Sequence, residues 1–269
     1  MARQRILVCG ATGFIGRNLV EALARNANVE LHALRFTRPV YDLSGVHWHQ
    51  ADLRDVEAVN RLLAGMDVVI QAAATTSGVR DIVNTPYIHV TDNAVMNSLL
   101  LRGCFDHKVK HFVFFSCSVM YQPRETPWRE EEWDPNQEMH PNYFHTGWTK
   151  VYIEKMCEFF GRLGVTKHTV IRHTNVYGPH DKFDLERSHV FGATVTKVMT
   201  SKTRSLMPRD RSWTVTLCLH VVWRRLDIFL PLILRSRHPG SCTRWCRMSI
   251  CKQHGNSRLC TRAMKMYVN

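Results

Sequence analysis

The sequence predicts an α/β chain: a doubly wound parallel sheet followed by a small, incomplete C-terminal lobe. Two observations predict it. The branched apolar run Ile6-Leu7-Val8-Cys9 passes without a gap into a glycine cluster and then an amphipathic stretch, the order of strand, tight turn and helix. Short apolar runs and helical stretches then alternate along the chain, as parallel strands joined by helical crossovers require. A length of 269 residues is enough for one such domain and a small lobe.

The first strand, Ile6 to Cys9, reads as buried on both faces. Gly10, Gly13 and Gly16 follow it, three residues apart. Gly10 permits the tight turn, Gly13 lets a pyrophosphate approach the backbone, and Gly16 lets the helix pack close to the strand. The helix N-terminus adds free N–H groups for phosphate. Gly10, Thr12, Gly13, Phe14, Ile15 and Gly16 are therefore candidate contacts to a dinucleotide; the plainer alternative is a tight strand-to-helix turn. Val29 to Phe36 reads as the second strand, whose end chooses the cofactor. An NAD site usually carries an acid there for the ribose hydroxyls. This chain has Arg35 and Arg38, no acid until Asp42, and Arg17 after the third glycine. Guanidinium groups suit a 2′-phosphate, so NADP is favoured over NAD. The competing reading makes them solvated surface groups.

Val46 to Gln50 reads as strand three, and Asp55 is a better N-cap than Asp52 for the helix Val56 to Ala64. Asp67 to Ala74 reads as strand four, with Ala72, Ala73 and Ala74 at its carboxyl end, where ligands of open sheets bind. Thr91 to Asp106 reads as a long helix and His111 to Ser116 as an aromatic, β-branched fifth strand.

The spacing in Gly10-Ala11-Thr12-Gly13-Phe14-Ile15-Gly16 resembles the extended short-chain dehydrogenase/reductase family, which implies a Rossmann-type sheet and NAD or NADP. Gly147-Trp148-Thr149-Lys150-Val151-Tyr152-Ile153-Glu154 resembles its Y-G-x-[ST]-K-x-x-x-E segment, and Arg172-His173-Thr174-Asn175-Val176-Tyr177-Gly178-Pro179 its R-x-x-N-x-Y-G-P segment. The resemblance implies that Asp52, with Leu53, meets the adenine amino group and that Ala72 to Ala74 line the nicotinamide ribose pocket. It implies that Asn93 orders a water or backbone group, the plainer alternative being an exposed polar residue on its helix, and that Asn175 contacts substrate. It makes Lys150 both a cofactor contact and a catalytic residue. The strand-five Ser/Thr position falls on Cys117, flanked by Ser116 and Ser118. The Tyr position falls on Thr146, whose aliphatic hydroxyl is too weak an acid to replace a phenol; loss of a general acid costs roughly 10²–10⁴ in rate. Tyr143 lies seven residues before Lys150, about 10 Å along a helix at ~1.5 Å per residue. It could substitute only if the helix begins later and the preceding loop folds back.

His180-Asp181-Lys182-Phe183-Asp184 and Ser188-His189-Val190 resemble the GDP-L-fucose synthase branch, which epimerises and reduces a GDP-4-keto-6-deoxy sugar. A catalytic His then falls on His189, whose pKa suits proton transfer at carbon beside a keto group, or else His189 is structural. A basic phosphate-binding residue falls on Lys197, and that branch's catalytic Cys position is occupied by Val119. These motifs imply a nucleotide-sugar epimerase/reductase, with a GDP-sugar favoured. The alternatives are an NADP-binding protein without turnover and a defective, truncated epimerase. Family members commonly dimerise through the helices that hold Asn93 and Lys150, so a homodimer is expected. Glu130 to Glu132 and Asp134 read as a solvated face.

The net charge of +13 invites a nucleic-acid reading, but its location opposes one. Residues 203–269 hold 13 Lys/Arg and only Asp210 and Asp227, a net of +11, against +2 for the remaining 202 residues. That tail also holds five of the nine cysteines, has no glutamate and shows neither helical nor strand period. It reads as out of frame or unrelated sequence. Cys242, Cys246, Cys251, His254 and Cys260 include no C-x-x-C pair, so no metal is expected. The expected organisation is a cofactor domain over 1–175, the start of a substrate lobe over 176–202, and the atypical tail. No secretory signal and no run of ~20 apolar residues is seen, and the cysteines read as reduced thiols, so a cytoplasmic protein without a membrane span is expected.

Overall fold

The structure is a computed structural model and describes residues 2–75, 85–122, 128–174, 176–183, 185, 188, 190–200 and 266–268. The strands are β1 (Gln4–Cys9), β2 (Val29–Arg35), β3 (Val46–Gln50), β4 (Val68–Gln71), β5 (His111–Cys117) and β6 (Lys167–His173). They form one parallel sheet in the order β3-β2-β1-β4-β5-β6. A three-residue strand, β7 (Met266–Val268), pairs antiparallel to β6. The strand order reverses between β1 and β4, and a crevice opens there at the carboxyl ends.

Alternation along β1 decides what covers each face. Ile6 and Val8 pack with Leu19, Val20 and Leu23 of helix α1 (Phe14–Leu23). Leu7 and Cys9 point the other way. There they meet residues of α2 (Val56–Leu63), α3 (Pro86–Asp106) and α4 (Phe144–Arg162), among them Val59, Leu100 and Ile153. Helix α5 (Val190–Thr200) follows β6.

Several boundaries follow from identifiable bonds. The Asp55 carboxylate accepts the Glu57 N–H at 2.9 Å, so Asp55 is the N-cap of α2, as its position suggests. Helix α3 starts at Pro86, earlier than Thr91, because proline suits the first helical turn, where its missing N–H is no loss. Strand β4 stops at Gln71, short of the expected Ala74. Ala72 still donates to the Cys9 carbonyl at 3.2 Å, but the Gln71 side chain accepts the Ala73 N–H at 3.1 Å, a local bond that turns Ala73 away from the ladder. Of the tail over 203–269 the structure describes only Met266–Val268, the strand β7, so the reading of the rest as out of frame and Cys242, Cys246, Cys251, His254 and Cys260 lie outside the described residues. Among the described residues, no helix is long and apolar enough to cross a membrane, and no three metal-ligating side chains are grouped to hold an ion.

Candidate cofactor and catalytic site

The glycine turn is shaped by close backbone approach. Gly10 has φ +72°, and a Cβ there would lie 2.7 Å from the Ala73 backbone. A Cβ on Gly16 would run into the Gly10 carbonyl, so helix and strand approach only because Gly16 has none. Gly13 is the N-cap of α1 and makes no side-chain cap. A Cβ on it would meet only the Gly10 oxygen, at 3.2 Å. The first N–H groups of α1, next to Thr12, Phe14 and Ile15, thus have no side-chain acceptor. That is the donor set a pyrophosphate needs.

Beside the turn runs a groove lined by Gly10, Leu34, Arg35, Phe36, Ala51, Leu53 and Ala73. Four candidate residues from separate stretches therefore share this groove: Gly10, Arg35, Leu53 and Ala73. A larger hollow of about 180 Å³ lies between β3 and α2, lined by His49, Gln50 and Arg61 among others, and holds none of the predicted site residues. Arg35 donates to the Gln50 side chain at 2.5 Å and to the Arg38 carbonyl at 3.4 Å; Arg38 itself is exposed. Arg17 is held on α1 by Glu21 at 2.9 Å and lies over the Tyr41 ring. Tyr41 in turn reaches the Ala11 carbonyl at 3.4 Å. Asp52 is already paired with Arg54 at 2.7 Å, which holds its carboxyl below the usual range.

The far end of the crevice rests on a buried polar ladder. Gln71 donates to Asn97 at 3.1 Å, and Asn97 donates to the Asn93 carbonyl at 2.7 Å. Asn93 brackets the Thr75 backbone, accepting its N–H and donating to its carbonyl, both at 3.1 Å. His89 reaches the same carbonyl at 2.9 Å. Asn93 thus orders a backbone group beyond Ala72, Ala73 and Ala74, which are half-buried.

Lys150 lies one helix face away. Its ammonium donates to the Phe115 carbonyl at 2.9 Å and lies 4.6 Å from the Phe114 ring centroid. Burial pushes its pKa below the ordinary lysine range. Cys117 is half-buried at the end of β5; burial pushes its thiol up, and the Lys150 charge opposes that. Ser118 follows β5 and is half-buried, its carbonyl accepting the Tyr121 N–H at 3.1 Å. The Thr146 hydroxyl is buried and has no hydrogen-bond partner among the described residues. Tyr143 ends a short turn, Pro141–Tyr143, and α4 begins one residue after it. Its ring is 37% exposed and lies against His140. Lys197 is exposed in the last turn of α5. Asn175 and His189 lie outside the described residues.

Sequence reasoning left several supports unassigned. Ser116 is fully buried and donates to Glu154 at 2.5 Å. Glu154 also takes Arg172 through 2.6 and 3.0 Å bonds, and Arg172 donates to the Tyr121 hydroxyl at 2.8 Å. Glu154 and Arg172 occur in the two quoted motifs, and that was the available signal. Asn18 of α1 donates to the Pro179 carbonyl at 2.9 Å, tying the segment after β6 to the cofactor helix. No sequence pattern marked that contact.

Comparison with known proteins fits this arrangement. A GDP-L-fucose synthase of Azorhizobium caulinodans is 26% identical over 200 residues, covering 72% of this chain and 59% of that protein. A dTDP-4-dehydro-6-deoxy-D-allose reductase of a Streptomyces species is 30% identical over 208 residues, covering 73% and 63%. The crystal structure of a UDP-glucose 4-epimerase with UDP-glucose, from Thermotoga maritima, is 25% identical with a TM-score of 0.63, covering 72% and 62%. The chain thus spans about three fifths of the length of the curated relatives it matches. The NAD dependent epimerase/dehydratase family matches residues 6–214, past the point where the quoted motifs end, and the chain belongs to that family.

Proposed function

We propose that this chain is an NADP-dependent nucleotide-sugar epimerase/reductase acting on a 4-keto-6-deoxy sugar nucleotide, with a GDP-sugar favoured. The observation that carries it is the Lys150 ammonium, held at the Phe115 carbonyl near the carboxyl end of β5 beside Cys117. When bound, the nicotinamide supplies or accepts a hydride. The α1 N-terminus would hold the pyrophosphate, and Arg35, Arg38 and Arg17 would favour a 2′-phosphate. Asp52 and Leu53 would receive the adenine. Lys150 would orient the ribose, which Ala72 to Ala74 would leave room for. Cys117 and Ser118 would hold the sugar keto oxygen, and His189 would move the proton at the neighbouring carbon. Asn175 and Lys197 would contact the sugar nucleotide. Thr146 cannot shuttle a proton; Tyr143, just outside α4, is the candidate phenol for that task, its alternative role being a substrate-pocket or packing aromatic.

The Thr146 substitution favours a second reading, a protein that holds NADP without turnover. Turnover of GDP- and dTDP-4-keto sugars with NADPH separates the two. Measurable reduction supports the enzyme; tight NADPH binding with no product from any such sugar supports the holder. A homodimer belongs to the same proposal. Tyr87, Ile88 and Val95 on α3 and Phe144, Tyr152 and Phe159 on α4 are exposed apolar side chains that a second copy would cover. Sedimentation at the monomer mass would refute it.

A further inference from the structure

Arg54 stands where two parts of the crevice meet. Its guanidinium binds Asp52 through Nη2 at 2.7 Å and through Nε at 3.0 Å, while its own N–H donates to the same carboxylate at 2.9 Å. Its other nitrogen, Nη1, binds Asp92 of α3 at 2.9 Å. The guanidinium also lies 5.8 Å from the ring centroid of Phe36, which lines the adenosine groove with Leu53 and Ala73. At the far side, Asp92 accepts the Thr75 hydroxyl at 3.3 Å. Thr75 is the residue that Asn93 grips by both backbone groups, directly after Ala72 to Ala74. One side chain therefore joins the groove wall at Asp52 and Phe36 to the backbone at the nicotinamide end.

A planar fork with several donors can hold two carboxylates at once, which a lysine ammonium does less rigidly. Each pair is partly exposed and weak by itself. Shared through one guanidinium, they transmit position: a shift of Asp52 on filling the groove moves Arg54, and with it Asp92 and Thr75.

We propose that Arg54 is a positioning residue that couples the adenosine end of the cofactor site to its nicotinamide end through Asp92 and Thr75. This rests on the cofactor reading above. Calorimetry with two probes tests it: 2′,5′-ADP, which fills the adenosine end alone, and whole NADPH. Asp92→Ala and Thr75→Val remove the links at residues outside the groove lining. Each is expected to leave 2′,5′-ADP affinity within about twofold and to weaken NADPH about tenfold, close to 1.4 kcal/mol. Arg54→Met is expected to weaken both probes, NADPH more. Equal losses for the two probes in every variant would overturn the coupling, as would no loss in any. Thermal melts at wild-type temperature keep misfolding from passing as lost coupling; a variant that melts early is replaced by Arg54→Lys, expected to lose NADPH affinity selectively. If the natural chain takes up 2′,5′-ADP and NADPH normally, only the coupling is at stake; if it binds neither, the cofactor reading falls and the proposal falls with it.

Discussion

The proposed adenosine end of the crevice and its proposed catalytic end are built from different materials. The adenosine end is backbone and small side chains: Gly10 at positive φ, Gly16 against a carbonyl, Leu53 and Ala73 along a groove. The catalytic end depends on side-chain chemistry: Lys150 on the Phe115 carbonyl, Cys117, and Thr146 with a buried hydroxyl that bonds nothing among the described residues. The difference is instructive. A site made from backbone shape is tied to the fold, because a Cβ at Gly10 or Gly16 would run into neighbouring backbone. A site made from functional groups can lose its acid and leave the helix intact, since Thr146 still fits within α4.

The sharpest way to break the contrast is Thr146→Tyr. If only the acid is missing, turnover of a 4-keto sugar nucleotide should rise by roughly 10²–10⁴, measured as NADPH consumption at saturating substrate. No change would mean that another group already supplies the proton. Next, Arg172→Met leaves Glu154 buried without its partner, the two side chains being 9% and 11% exposed. Breaking such a pair costs about 3–5 kcal/mol, read by urea denaturation, and Glu154→Leu added to it should recover much of the loss. On the adenosine side, Gly16→Ala should lose about 1–3 kcal/mol of stability by overpacking. Gly13→Ala, whose Cβ meets only the Gly10 oxygen, should cost less stability than Gly16→Ala and weaken NADPH about tenfold, about 1.4 kcal/mol. Similar melting points for the two would refute the separate roles of these glycines.

Stability also depends on pH, through buried histidines at the start of β5 and β6. Burial holds His111 down to about 3 and His168 down to about 4, from 6.5. Both are neutral in the fold, whereas the unfolded chain protonates them below 6.5. Stability is therefore full above that pH and falls as pH drops toward 4. The slope is about 1.4 kcal/mol per pH unit for each histidine. Urea midpoints that stay constant between pH 7 and pH 5 would contradict it.

Much of this was legible because glycine spacing and strand patterning encode geometry directly. Ile6 to Cys9 and the three glycines predicted β1, the turn and α1, and Val46 to Gln50 matched β3 residue for residue. The end of β4 was not legible, since the Gln71 side chain, rather than any local propensity, closes it. The same limit applies to Arg54. Read alone it is a surface arginine beside an aspartate; its second partner, Asp92, lies on a helix far along the chain. Asn18 meeting Pro179 across the fold is another case. Long-range polar contacts carry no periodicity, so sequence pattern does not announce them.

The central claim is that a nicotinamide dinucleotide lies across the glycine turn. Titration calorimetry of the folded chain with NADP and with NAD tests it most directly. The account predicts saturable uptake of one nucleotide per chain, with NADP the tighter. Absence of saturable uptake of either nucleotide would contradict it.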